Sequence, residues 1–207
     1  MTRSQKIWGP IVWRLLHSVC HKYDQKSEKS FNAVTFLVGL SHILPCKHCR
    51  ETYTMLLCID KPLDVVEKGE SLFFWSYQLH ERVNKKLWAQ DHPDVPYKPQ
   101  LSYEDAQRRY ARVESVWADD VFYFYKNIMV VYYTTATPWY YITAMALGTL
   151  LSDMDPALAA FKLPEDDPTY QYDTFKSKKD FEDFVEKCII FTNDAKHTGA
   201  AIMCGDV

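Results

Sequence analysis

A proline followed at once by Cys-x-x-Cys, set between two apolar helical runs, limits this chain's fold more than any other feature. The stretch is Leu44-Pro45-Cys46-Lys47-His48-Cys49-Arg50. The residue before a proline avoids the α region, so a helix arriving from the N-terminal side stops there. The cysteines then open the next helix, where unpaired N–H groups and the helix dipole favour a thiolate. Cys46 sits where that effect is largest, with Lys47 beside it, and Cys49 is one turn further in on the same side. Such a pair is a redox disulfide or half of a metal site. Zinc takes four ligands, and no second Cys-x-x-Cys or motif-linked histidine pair supplies the other two. His17 and His21 are four apart, but nothing ties them to the cysteines. A strand–helix oxidoreductase also uses this motif, yet its surroundings here read as helices. Redox exchange is the favoured reading, with Cys46 more exposed and Cys49 more covered. A non-enzymatic zinc-binding or scaffold helical module is the alternative, and no metal ligands are assigned.

The neighbouring segments have the helical period. Trp8 to Val19 places Val12, Leu15, Leu16 and Val19 on one face. Pro10 is expected near its start, where a missing N–H has no partner to lose. Trp13 and His17, four apart, share a face. A second helix runs from about Phe31 to Leu44, and a third from the cysteines to about Cys58. Asp60-Lys61-Pro62 reads as a turn. A fourth helix runs from about Ser71 to Gln90, with Leu72, Trp75, Leu79, Val83 and Leu87 as its buried stripe and His80 and Asn84 beside it. Asp91 to Pro99 is a proline-rich loop, and Ser102 caps a short fifth helix. The fold class is therefore all-α: residues 1–112 form a bundle of four helices plus a short fifth.

The rest of the chain changes character. Val121 to Tyr125 is dense in aromatics, and Asn127 to Ser152 holds no charged residue over 26 positions. A bilayer span needs ~20 apolar residues. The threonines, tyrosines and Pro138 in this stretch dilute its hydrophobicity, so two buried helices broken at Thr137-Pro138 are favoured over a span. Asp153 to Asp173 reads mostly as loop, and Phe175 to Asn193 as a last helix. Residues 113–207 are expected to form a second, mainly helical accessory domain. A net charge of -3 argues against a broad basic face for nucleic acid. No apolar run follows Met1 to Lys6, so no secretory signal peptide is expected. Cys20 and Cys58 read as buried or half-buried inert thiols and Cys188 as packing. Cys204, in a polar tail, is the better candidate for a shuttle thiol.

Three segments in order carry a resemblance: Trp8-Gly9-x-x-x-Trp13-x-x-Leu16-His17, then Pro45-Cys46-x-x-Cys49, then Trp75-x(4)-His80-x-x-Val83-Asn84-x-Lys86-Leu87. Over about residues 5 to 112 the chain resembles the Erv/ALR family of FAD-dependent sulfhydryl oxidases. The resemblance implies a helical bundle that holds FAD, with the cysteine pair against the isoalloxazine ring. By position, Gly9, Trp13, His17 and Tyr23 would line the flavin from the first helix and its end. His80, Val83, Asn84, Lys86 and Leu87 would line it from the fourth, and Arg109 and Tyr110 would lie near the adenine. Cys46 would exchange with incoming thiols while Cys49 faces the flavin, and oxygen would be reduced to hydrogen peroxide. Thiol-containing substrate proteins or a thioredoxin-like carrier, and a homodimer, follow from the same resemblance. Family members work in the mitochondrial intermembrane space, in the secretory pathway, or as products of large DNA viruses. The unfamiliar second half and the missing second shuttle pair lean towards the viral type, in an infected cell's cytoplasm or a virion. Two positions depart from the family: Glu81 stands where it usually has Asn, and Thr52 where it usually has His.

Overall fold

The computed structural model describes residues 3–24, 28–111, 118–134, 137–154, 177–183 and 185. The described residues are helical with no strand. In chain order the helices are α1 (Arg3–Lys22), α2 (Glu28–Ile43), α3 (Lys47–Ile59), α4 (Pro62–Lys68), α5 (Leu72–Asp91), α6 (Tyr103–Ala111), α7 (Ala118–Tyr123) and α8 (Trp139–Met154). A π-helical segment, Phe124–Val130, continues α7.

Local chemistry sets most boundaries. Pro45 follows the end of α2, and Cys46 caps α3 by accepting the Cys49 N–H on its sulfur at 3.2 Å. Pro62 starts α4, and Gly69 ends it at φ 70°, a left-handed conformation that glycine adopts without a Cβ penalty. Ser71 caps α5 by accepting from the Phe74 N–H at 2.9 Å. Asp24, just after α1, accepts from the Ser71 hydroxyl at 2.7 Å and the Phe73 N–H at 2.6 Å. One carboxylate therefore satisfies the start of α5 and pins it to the end of α1. Ser102 caps α6 by accepting from the Asp105 N–H at 3.1 Å.

Helix α2 is the centre of the molecule. Ala33, Phe36, Leu37, Leu40 and Ile43 have no exposed surface, because α3 covers one side and α8 the other. Gly39 marks the closest approach. A Cβ there would overlap the Thr143 hydroxyl and lie 3.0 Å from Thr143 Cβ. The Tyr23 hydroxyl donates to the Leu150 carbonyl at 2.8 Å, and the Phe36 and Phe124 rings meet edge to face at 6.0 Å. Arg14 of α1 grips Asp120 of α7 through two bonds, Nε to Oδ2 at 2.7 Å and Nη2 to Oδ1 at 2.6 Å. Apolar and charged contacts thus join α7 and α8 to the first helices.

Several expectations change. Pro10 lies well inside α1, not near its start. The Lys6 carbonyl loses its helical donor there, but both residues are exposed, so water can replace the bond. Pro62–Lys68 is a helix where a turn alone was expected. It is short and has proline at its first position, so periodicity is a weak guide to it. The buried stripe of α5 holds at Leu72, Trp75 and Leu79 but gives way to half-buried Val83 and Leu87. Cys58 is exposed rather than covered, because α3 turns its Met55–Ile59 face outward. The uncharged stretch divides as expected, into the segment ending at Tyr132 and α8. Among the described residues, no helix is long and apolar enough to cross a membrane. Residues 178–183 are helical, and Phe181 is buried against Tyr133 with centroids 4.3 Å apart. The expected loop, most of the last helix, Cys188 and Cys204 lie outside the described residues.

Candidate active site

Cys46 and Cys49 form a disulfide at the N-terminus of α3, with Cα atoms 5.1 Å apart. The apolar end of α2 and Pro45 fix the corner, and Arg50 ties it by donating to the Leu44 carbonyl. Both cysteines are half-buried against the core. Lys47 lies outward, 3.9 Å from Glu51, and His48 is exposed as well.

A second group of side chains comes from α1, α5 and α6. Trp13 and His80 stack almost parallel, 7° apart with centroids at 3.9 Å. His17 lies beneath them: its Nε2 meets His80 Nδ1 at 2.9 Å and its Nδ1 meets the Ser76 hydroxyl at 2.9 Å. The Tyr110 ring is 5.2 Å from His17 and 5.6 Å from Phe73. Steps of three and four residues put Phe73, Ser76 and His80 on one face of α5, opposite Trp13 and His17 on α1. Burial, with His80 nearby, lowers the His17 pKa to about 3; burial lowers that of His80 to about 4. Both rings are therefore neutral near pH 7. Burial raises the Tyr110 hydroxyl pKa, and it raises that of the Cys20 thiol strongly.

The outer half of α5 leans on α3. Lys86 donates from Nζ to the Thr52 hydroxyl at 2.8 Å, one turn beyond Cys49. Asn84 donates to Glu81 at 3.4 Å, and the other Glu81 oxygen accepts from the Tyr97 hydroxyl at 2.8 Å. Thr52 and Glu81, the two departures noted in the sequence, thus hold two of the expected site residues. Val83, Asn84, Lys86 and Leu87 are all half-buried.

Trp13, His17, His80 and Tyr110 form one cluster, and Val83, Asn84, Lys86 and Leu87 continue along α5. Tyr23 is buried and bonded to Leu150 in α8. Arg109 is exposed beside Tyr110. A Cβ at Gly9 would meet nothing within 4 Å beyond its chain neighbours. Gly9 precedes Pro10 within the helix, so local geometry already favours a residue without a Cβ. Sequence reasoning missed Ser76 and the bonding role of Thr52. A serine one turn before His80, inside an apolar run, was the available signal for Ser76. Among the described residues, no three His, Cys, Asp or Glu side chains come together as a metal site.

The arrangement combines an exchangeable disulfide, flat neutral rings for stacking on a heterocycle, and a half-buried ammonium suited to an anion. The Erv1/Alr family profile matches residues 10–102. The chain is similar to the mitochondrial FAD-linked sulfhydryl oxidase ERV1 of Saccharomyces cerevisiae, 35% identical over 81 residues, covering 38% of this chain and 42% of that protein. It is also similar to the FAD-linked sulfhydryl oxidase of African swine fever virus, 27% identical over 82 residues, covering 39% of this chain and 67% of the viral one. The matched stretch therefore spans less than half of the yeast relative. No solved structure matches the chain at a significant level.

Proposed function

Because residues 10–102 match the Erv1/Alr family profile, we propose that this chain is a member of that family, a FAD-dependent thiol oxidase working through Cys46 and Cys49. The carrying observation is the half-buried Cys46–Cys49 disulfide at the start of α3. A substrate thiolate attacks Cys46, breaking the disulfide and forming a mixed disulfide with Cys49 released as the thiolate. A second substrate thiolate then displaces Cys46, giving oxidised substrate and a reduced pair. The helix N-terminus stabilises each departing thiolate. Cys49 is the residue that hands the electrons onward.

The donor set fits FAD. Trp13 and His80 supply flat rings, Tyr110 and His17 back them, and Lys86 offers a cation for a phosphate oxygen. Gly9, Val83, Asn84 and Leu87 would complete the lining. Tyr23 would act from the end of α1, and Arg109 from the surface near the adenine. When bound, FAD would accept the two electrons of the reduced pair and pass them to oxygen, giving hydrogen peroxide. The other partners in this reading are a thiol-containing protein or thioredoxin-like carrier and a second copy of the chain in a homodimer. Residues 113–207 act as a helical accessory domain that presents substrates or assembles the enzyme. The proposed setting is the cytoplasm of an infected cell or a virion, in keeping with the likeness to a viral protein, or else the mitochondrial intermembrane space, in keeping with the likeness to a yeast protein named mitochondrial.

The test is direct. Purified protein should be yellow and should consume oxygen with a dithiol, and Cys49→Ser should abolish turnover while trapping a mixed disulfide at Cys46. Colourless protein inert towards dithiols would overturn the reading.

A further inference from the structure

We propose that Ser76 fixes the proton order of a buried Ser76–His17–His80 chain, so that His80 offers its bare Nε2 to the cofactor site as a hydrogen-bond acceptor. Ser76 is thereby a positioning residue. The inference rests on the flavin-site reading only for what His80 meets.

The order follows from counting protons. The Ser76 hydroxyl lies 2.7 Å from the Phe73 carbonyl oxygen. A carbonyl has no proton, so the single hydroxyl proton of Ser76 must lie on that contact. Ser76 has no exposed surface, so water offers no alternative. The same hydroxyl oxygen is 2.9 Å from His17 Nδ1, which must then carry the proton and donate. A neutral His17 with a proton on Nδ1 has none on Nε2. His80 Nδ1, 2.9 Å away, must therefore be the donor across that gap. A neutral His80 with its proton on Nδ1 has a bare Nε2. The two nitrogens of an imidazole point in diverging directions, so this lone pair is directed away from His17. His17 is buried and His80 half-buried, so the edge of His80 that carries the acceptor is the one further from the core, at right angles to the face that stacks on Trp13.

The chain thus selects the chemistry of what His80 meets. An N–H or O–H donor is accepted, whereas a carbonyl or phosphate oxygen is opposed by the lone pair. In a flavin site the partner is a donor of the ring or of the ribityl chain, not a phosphate. Without the Ser76 oxygen, His17 Nδ1–H would be left buried and unpaired. The cheapest response is the reversed order, which turns His80 Nε2 into a donor.

The test uses the full chain as purified, labelled with ring-15N histidine. The imidazole nitrogens of His17 and His80 are read by long-range 1H–15N correlation, assigned with His17→Asn and His80→Asn. Both Nδ1 atoms should carry protons and both Nε2 atoms should be bare; a proton on either Nε2 overturns the proposal. In Ser76→Ala the reversed order should become at least about tenfold more populated, and flavin retention should fall about tenfold. Ser76→Thr, which keeps the hydroxyl, should restore the order. A folded Ser76→Ala with unchanged order refutes the role of Ser76; if that variant does not fold, the unsubstituted chain and Ser76→Thr decide. Colourless protein with the expected order would defeat the flavin reading alone, and yellow protein with the reversed order would defeat this proposal alone.

Discussion

His17 and His80 meet nitrogen to nitrogen, Nε2 to Nδ1, at 2.9 Å, and one proton lies between them. A second proton on that contact would face the first, so the packing opposes charge on both rings at once, and burial opposes charge on either. Burial lowers the two pKa values to about 3 and about 4. In the unfolded chain each histidine titrates near its ordinary value of ~6.5.

A pH dependence of stability follows. Between about pH 4 and 6.5 the unfolded chain binds more protons than the folded one, so stability falls as pH falls. The contribution is complete above the unfolded value and lost progressively below it. His21 and His42, lowered by burial in the same direction, add to the slope. The urea midpoint should drop between pH 7.5 and pH 5, by a loss on the order of a few kcal/mol. His17→Gln should flatten the slope. A midpoint that stays level across this range would show that the pair is not held neutral by the fold.

The approach of α2 to α8 gives a second prediction. A Cβ at residue 39 would overlap the Thr143 hydroxyl, and Thr143 is fully buried with no room to swing away. Gly39→Ala should destabilise the protein by about 1–3 kcal/mol, although alanine is the better helix former. Thr143→Ala in the same chain should recover part of that loss. Thermal melts of the two variants decide it, and a neutral Gly39→Ala would mean that α8 does not sit this close.

How far the sequence carried the fold depends on which forces placed each element. The α2–Pro45–α3 corner and Ser71 at the start of α5 were legible because proline and serine act locally. Pro10 misled because it was judged by propensity, whereas the exposed side of α1 tolerates a missing bond. Helix α4 was overlooked because a short amphipathic turn shows little period. Trp13, His17, His80 and Tyr110 were singled out as a group only through the family resemblance, because they lie on separate helices. Ser76, Asp24 and Thr52 were not, because each acts through one long-range hydrogen bond that no local pattern encodes. The Arg14–Asp120 pair joins residues 106 apart in sequence and depends wholly on tertiary placement.

That pair supplies a third prediction. The Asp120 side chain is 10% exposed and that of Arg14 32%, so the bond is partly shielded from water. Asp120→Ala should cost about 2 kcal/mol, less than for a fully buried pair because Arg14 can still reach solvent. Arg14→Met combined with Asp120→Ala should cost less than the sum of the single changes. Hydrogen exchange should quicken in α7 while α3 is unaffected. Additive costs would mean that the two charges do not hold α7 to α1.

Lys86 distinguishes structure from cofactor binding. Its ammonium donates to Thr52, and both residues are half-buried. Removing either partner should cost stability, about 1 kcal/mol, and the double variant should cost less than the sum. Flavin binding should respond differently. Thr52→Val leaves the charge in place and frees the ammonium to reach a phosphate oxygen, so flavin retention should be kept or improved. Lys86→Met deletes the charge and should weaken retention about tenfold, roughly the worth of one charge-assisted bond. Flavin absorbance per protein after dialysis reads retention, and urea melts of the same samples read stability. Equal loss of flavin from both variants would make the Thr52–Lys86 bond a brace between α3 and α5 and remove Lys86 from the cofactor site.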